Sequence, residues 1–420
     1  MKEINPGGSR CAKCGACAVV CPLYQVSGRE ENTARGKLHM LSRLNPKTAS
    51  AAFADTLSRC LLCGACRKIC PQQVDVPARI VAARRTLARQ ADRHFWRKYL
   101  VRQALAHPKV LNKTLGLAAA ASERMDRLLP SESGLRLRLG LIADSKELHS
   151  RHGRYVENTT AADSPAAAYF VGCLADHLEP GIAQATAALT SRATGTVPAV
   201  PSGQACCGQA AFSCGDFDLA RELARQNIAA FAGQELPILT SCASCYSHLL
   251  TYPELFREDP AWHGRAVAFT GRVQEFSTFF QGKLTPVPKT KTAAAVFYHD
   301  PCHLRHGPTI TDAPRQLLSA AGLLLEELPG GPRCCGQGGL FHLAHHDLSA
   351  KVRDRLLSAF QPLAAEIVTT TCSGCLLQWR QSLARTGSRI RVQHLAELLA
   401  EPLAKPRKNL CPDRTADLAD

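Results

Sequence analysis

Short apolar runs of strand length punctuate the second half of the chain. Ala168–Val171 and Ala295–Tyr298 each run straight into a cysteine, and the runs at 237–239 and 367–368 each precede a Cys-x-x-Cys pair. Between them the apolar positions recur at helical spacing, starting near Asp218-Leu219-Ala220 and Asp347-Leu348-Ser349. Strands alternating with amphipathic helices predict a parallel sheet in each of two small α/β units. In such sheets the loops at the strand ends are where chemistry sits. The longest apolar stretches, Leu115–Ala121 and Leu317–Leu325, fall well short of the roughly 18 residues of a membrane span and read as buried helix segments.

Residues 79–154 follow another pattern. Arg84, Arg85, Arg89, Arg93, Arg97 and Arg102 recur near helical spacing, interleaved with Leu87, Phe95, Trp96, Tyr99 and Leu100. This predicts a basic helical connector, closed by a polar, linker-like run over 158–164.

Composition sharpens the picture. A chain of 420 residues with 45% hydrophobic content supports several folded domains rather than disorder. The formal charge of +16 is uneven, since 79–154 holds 17 Lys/Arg against 6 Asp/Glu. Such a segment is a solvated helical face or a docking face for an acidic partner or an anionic membrane surface. No nucleic-acid motif accompanies it, so nucleic acid is not expected as a partner. The opening MKEINPGGSR has no apolar core and reads as no signal peptide. We therefore expect a cytoplasmic protein, peripheral at the inner membrane face.

The 20 cysteines are the anomaly. Disulfide scaffolds are usually short secreted chains, whereas clustered Cys-x-x-Cys spacings without an export signal point to metal in a reducing compartment. The N-terminal region holds Cys11, Cys14, Cys17 and Cys21 followed by Pro22, then Cys60, Cys63, Cys66 and Cys70 followed by Pro71. Each set matches the bacterial ferredoxin run CxxCxxCxxxCP, in which three cysteines wrap one cubane and the fourth ligates the neighbouring cluster. By that rule one [4Fe–4S] cluster takes Cys11, Cys14, Cys17 and Cys70, and the other takes Cys60, Cys63, Cys66 and Cys21. Zinc sites also use four cysteines, but not in this order. Two cubanes with four thiolates carry about −2 each and bring the net charge to about +12.

The α/β half contains an internal repeat. Cys173, Cys206, Cys207, Cys242 and Cys245 recur as Cys302, Cys334, Cys335, Cys372 and Cys375, with offsets of 128 to 130 residues. Each copy contains a Cys-Cys-Gly-Gln segment and supplies five cysteines, one more than a cubane needs, which suggests an unusual further iron–sulfur centre in each. The alternative is a structural module whose thiols hold no metal. Cys214 has no counterpart in the second copy and is expected to be an ordinary buried cysteine, and Cys411 a free thiol. Histidines gather in the second copy at 299, 303, 306, 342, 345 and 346. Of these, His303 and His306 are candidates to donate a hydrogen bond to cluster sulfur or to relay a proton.

Two ferredoxin quartets followed by two CCG modules resemble the iron–sulfur subunit of glycolate oxidase across nearly the whole chain. Related families are the iron–sulfur subunits of flavin-dependent D-lactate dehydrogenases and of anaerobic glycerol-3-phosphate dehydrogenase, and the catalytic subunit of heterodisulfide reductase. The stretch from Cys14 to Tyr24, followed by Ala34-Arg35-Gly36-Lys37, is similar to the family's CxxCPxY segment and PRGR-like tetrapeptide, with Ala34 for the proline and Lys37 for the second arginine. The resemblance implies an α+β multidomain protein: a helical ferredoxin-type domain over 1–80, the basic connector over 81–164, CCG cysteine-rich domains over 165–290 and 291–400, and a tail over 401–420. It further implies an oxidoreductase subunit that passes electrons from a separate FAD subunit, where a 2-hydroxy acid is oxidised, towards the quinone pool or another carrier. No GxGxxG opens a helix after a strand, so no flavin or nicotinamide is expected on this chain. One departure stands out: glycolate-oxidase-type members often lack part of a CxxC, whereas all ten module cysteines are present here. Complete five-cysteine sets hold noncubane clusters in heterodisulfide reductase, which keeps a thiol–disulfide catalyst as the alternative.

Overall fold

The computed structural model describes residues 11–87, 99, 155 and 164–401, apart from 49, 234 and 288–292. Most of the basic connector with Leu115–Ala121, the greater part of the linker run over 158–164, and the tail with Cys411 lie outside the described residues.

The N-terminal unit is helical. It contains α1 (Ala16–Val20), α2 (Pro22–Ser27), α3 (Ala34–Arg43), α4 (Ala51–Ser58), α5 (Ala65–Ile69) and α6 (Val76–Thr86). The two quartet loops have the same backbone. Gly15 and Gly64 sit at φ 84° and 80° and start α1 and α5, conformations that favour glycine. Pro22 then opens α2, where a missing N–H costs nothing. Thr33, Ser50 and Asp75 cap α3, α4 and α6 by accepting backbone N–H groups of Gly36, Phe53 and Ala78. Phe53, Leu57, Val74, Val76 and Ile80 fill the core between these helices.

Two parallel sheets follow. The first has the order β1 (Ala168–Phe170), β2 (Ile238–Thr240), β3 (Val273–Glu275). The second has the order β5 (Leu324–Glu326), β4 (Ala295–Tyr298), β6 (Ile367–Thr370), β7 (Arg391–His394). The strands β1, β2, β4 and β6 coincide with the apolar runs, because a parallel strand covered on both faces is mostly apolar. One reading needs correction. Leu317–Leu325 is not a single buried helix segment: the helix ends at Ala320, Gly322 turns the chain at φ 74°, and the run continues as edge strand β5 with Leu324 exposed.

The two sheets share one core. Tyr169, Leu239 and Phe276 from the first repeat pack with Val296, Tyr298, Ile367 and Leu395 from the second. Burying each such side chain contributes about 2 kcal/mol, so the repeats hold each other together. The repeat shows in its polar details as well: Tyr169 Oη bonds Ser241 Oγ at 2.8 Å, and Tyr298 Oη bonds Thr371 Oγ1 at 3.1 Å. Among the described residues no helix is long and apolar enough to cross a membrane.

Candidate metal centres

The thiols lie where the backbone turns. Each quartet wraps the start of a short helix, and in each module the first cysteine and the Cys-x-x-Cys follow closely on a buried strand. Cys173 follows β1, Cys242 follows β2, Cys302 follows β4 and Cys372 follows β6. Gly172 precedes Cys173 at φ 77°, and a Cβ there would stand 3.2 Å from Cys245 Sγ, so the close approach of these thiols needs glycine.

The structure brings Cys21 out of its own loop and beside Cys60 and Cys66, and burial, then the charge of Cys60, raises its thiol pKa. Burial, then Cys60, Cys21 and Cys17, push Cys66 up to about 12. Cys17 feels Cys11. Cys63 is raised well above its usual value by burial and then by Cys334 of the second module.

Within the modules the thiols touch in series. Cys206 lies between Cys173 and Cys207, and Cys207 reaches Cys245, which reaches Cys242. In the second module Cys334 lies between Cys302 and Cys335, and Cys335 Sγ is 3.3 Å from Cys375 Sγ, which neighbours Cys372. The two series meet: Cys242 and Cys372 are in hydrogen-bond contact across the module boundary. Hydrogen bonds from Cys173 and from Cys302 pull Cys206 and Cys334 well down, while their partners are raised. Five thiols touching in series, most of them buried, cannot all ionise without a cation among them, so this donor set fits a metal centre. The quartets offer a complementary sign of fit: Lys37, a fully buried ammonium, faces Cys60, Cys21 and Cys66.

Of the histidines, His303 accepts from or donates to Ser244 Oγ at 2.8 Å, and Ser244 Oγ lies 3.2 Å from Cys372 Sγ. His306 packs against Gly64 beside the second quartet. His299 is the one that sequence reasoning passed over. Its ring nitrogen lies within 4.8 Å of Cys335 and Cys375 Sγ, and burial lowers its pKa to about 4. His248, buried beside Cys206 and held neutral near a pKa of about 3, has an unpartnered Nε2. Neither carries a spacing signal, because each reaches its cysteines through the fold. Cys214 is half-buried rather than buried, at the rim of a cleft. That cleft, about 470 Å³, lies where the helical unit meets both modules, and Cys60, Cys173, Cys207, Cys242 and Cys245 line it.

The helical unit is fastened to both modules. Arg84 donates to Leu57, Ser58 and Cys60 carbonyls and, at 2.7 Å, to Ser213 O of the first module. Arg67 donates to His306 O and Lys68 to Thr309 Oγ1 of the second.

Comparison with known proteins agrees with this layout. A 4Fe-4S dicluster domain family matches residues 7–74, and a cysteine-rich domain family, CCG, matches 167–250 and again 296–380. Over 420 aligned residues, 93% of each chain, the protein is 29% identical to a probable glycolate oxidase iron-sulfur subunit of Bacillus subtilis (strain 168). It is 33% identical over 233 residues, 55% of this chain and 96% of the relative, to lactate utilization protein A of Bacillus thuringiensis (strain Al Hakam), and equally to lactate utilization protein A 1 of Bacillus cereus (strain Q1). The dicluster domain carries two [4Fe–4S] clusters, and the cysteine-rich domains fit further ones. The chain belongs to the glycolate oxidase iron–sulfur subunit family.

Proposed function

We propose that this chain is the electron-transfer subunit of a flavin-dependent 2-hydroxyacid dehydrogenase, of the glycolate oxidase or D-lactate dehydrogenase type. The carrying observation is the unbroken order of thiols, from Cys173 through the Cys242–Cys372 contact to Cys334 and on to Cys63 of the second quartet. Cys11, Cys14, Cys17 and Cys70 hold one cubane, and Cys60, Cys63, Cys66 and Cys21 the other; the nearness of Cys21 to Cys60 supports that crosswise grouping. Each five-cysteine set holds a further centre. Iron–sulfur clusters take one electron at a time, which suits a chain placed between a two-electron flavin donor and a quinone or other carrier. The names of the relatives support a 2-hydroxy acid as the donor class, oxidised on a separate FAD subunit. The complex works in the cytoplasm, at the inner face of the membrane. Anaerobically purified protein should hold about 8 iron per chain, rising towards 16 with filled modules, and show reduced-cluster EPR signals when the FAD subunit and glycolate or D-lactate are added. Stoichiometric zinc without iron would end this reading.

The cleft favours a second reading, a heterodisulfide-reductase-like catalyst, because it opens onto Cys173, Cys207, Cys242 and Cys245. Serine in place of Cys334 or Cys335 separates the two. Electron flow from 2-hydroxy acid to quinone stops under the first reading; if it survives with the second module emptied, that module is not on the path.

A further inference from the structure

Lysine is almost never fully buried without a partner, yet Lys37 is 1% exposed on the inner face of α3. Its Nζ donates to Asn32 O at 2.6 Å and to Glu31 O at 3.2 Å. The same Asn32 carbonyl accepts from Cys21 Sγ at 3.5 Å, so the ammonium and the thiol share one acceptor. Among the described residues no carboxylate lies within ion-pair distance of Lys37. The nearest candidates, Glu30 and Glu31, pair at the surface with Arg35 and Arg29. The charged groups facing Lys37 are Cys60, Cys21 and Cys66, with Arg84 as a like charge. An unpaired buried cation costs several kcal/mol and persists only beside a compensating anion. The anion available here is the thiolate set of the second cluster.

We propose that Lys37 is a positioning cation that makes the cluster held by Cys21, Cys60, Cys63 and Cys66 the more easily reduced of the two. Reduction adds negative charge, and a fixed positive charge in a low-dielectric setting stabilises the reduced form more than the oxidised one. Among the described residues no other lysine or arginine is buried, so the first quartet has no equivalent there. Arg35, whose charge reaches Cys17, is at the surface, bonded to Lys13 O and ion-paired with Glu30, where solvent and salt screen its field. The sequence neighbours Arg35 and Lys37 thus face different clusters from different depths.

The inference rests on the ligand grouping proposed above, which iron content and EPR of the wild-type chain test on their own. The lysine is tested by EPR-monitored redox titration of the full reconstituted chain carrying Lys37→Met, Lys37→Gln or Lys37→Arg. Methionine and glutamine should lower one midpoint, and only one, by about tenfold in the reduced-to-oxidised ratio at fixed potential, or about 59 mV for one electron. Arginine should restore it. If methionine costs one cluster, about four iron, while arginine keeps it, the counter-charge role stands. Unchanged midpoints in K37M, or equal loss of the cluster in K37M and K37R, would overturn it.

Discussion

The two CxxCxxCxxxCP loops are near copies whose surroundings differ. Lys13 and Leu62 both adopt φ 55°, and the glycines that follow Cys14 and Cys63 are likewise matched. Cys14, however, is exposed, and Val19 at the end of α1 is 73% exposed. The second loop is wedged against the second module: Gly64 meets His306, Leu61 meets Gly338, and Cys63 faces Cys334. Spacing sets which thiols gather, while packing sets what each cluster neighbours. The first loop faces outward and the second faces the CCG centres.

The largest effect expected from that difference is at Cys63. Cys63→Ser should remove about four iron per chain and cut acceptor reduction driven by 2-hydroxy acid at least about a hundredfold, as one lost donor opens the thiol order where the quartets meet the modules. Comparable flow in C63S and wild type, with the iron lost, would break the comparison. A smaller effect comes from the packing itself. A Cβ on Gly338, at φ 54°, would stand 2.4 Å from Leu61 Cδ2 and 2.9 Å from Phe341 Cβ. Gly338→Val should cost about 4 kcal/mol through strain and overpacking together. Gly28→Ala, after the first quartet, has a similar φ of 65° but nothing within 4 Å, and should cost about 1 kcal/mol. Thermal midpoints of the two variants measure the contrast directly, and equal shifts would show that the second loop is not wedged.

Much of this was legible in the sequence. The quartets announced themselves by spacing, and the repeat by its near-constant offset. The strands β1, β2, β4 and β6 showed as apolar runs because both faces are covered. The edge strands β3 and β7 did not: β3 alternates Val273-Gln274-Glu275, and β7 runs Arg391 to His394 with an exposed start. Half-covered strands carry polar residues and look like loop. The meetings of Cys63 with Cys334 and of Cys242 with Cys372 were illegible for another reason: tertiary packing, not local pattern, makes them. The burial of Lys37 was equally hidden, since a lysine on a helix normally marks its wet face.

The smallest effect contrasts the two modules. Each sheet ends on a strand whose last residue caps the next helix, Glu275 in the first and His394 in the second. Glu275 accepts from the N–H groups of Ser277 and Thr278, and His394 Nδ1 accepts from Ala396 N. Burial drives both towards neutrality, Glu275 up to about 7 from 4.5 and His394 down to about 4 from 6.5. The consequences for stability have opposite sign. Glu275 keeps its proton in the fold after the unfolded chain has lost it, so its contribution is complete below about 4.5 and is lost as pH rises through 7. His394 refuses a proton that the unfolded chain accepts, so its contribution is complete above about 6.5 and is lost as pH falls through 4. Each is worth at most about 3 kcal/mol. Between those limits the two slopes oppose each other, and His248 and His299, also held neutral by burial, add to the acid side. Glu275→Gln should therefore steepen the fall of the thermal midpoint on acidification, and His394→Asn should make it shallower. If both variants kept the wild-type slope, neither cap would be held neutral, and the two modules would not differ in the way their buried caps require.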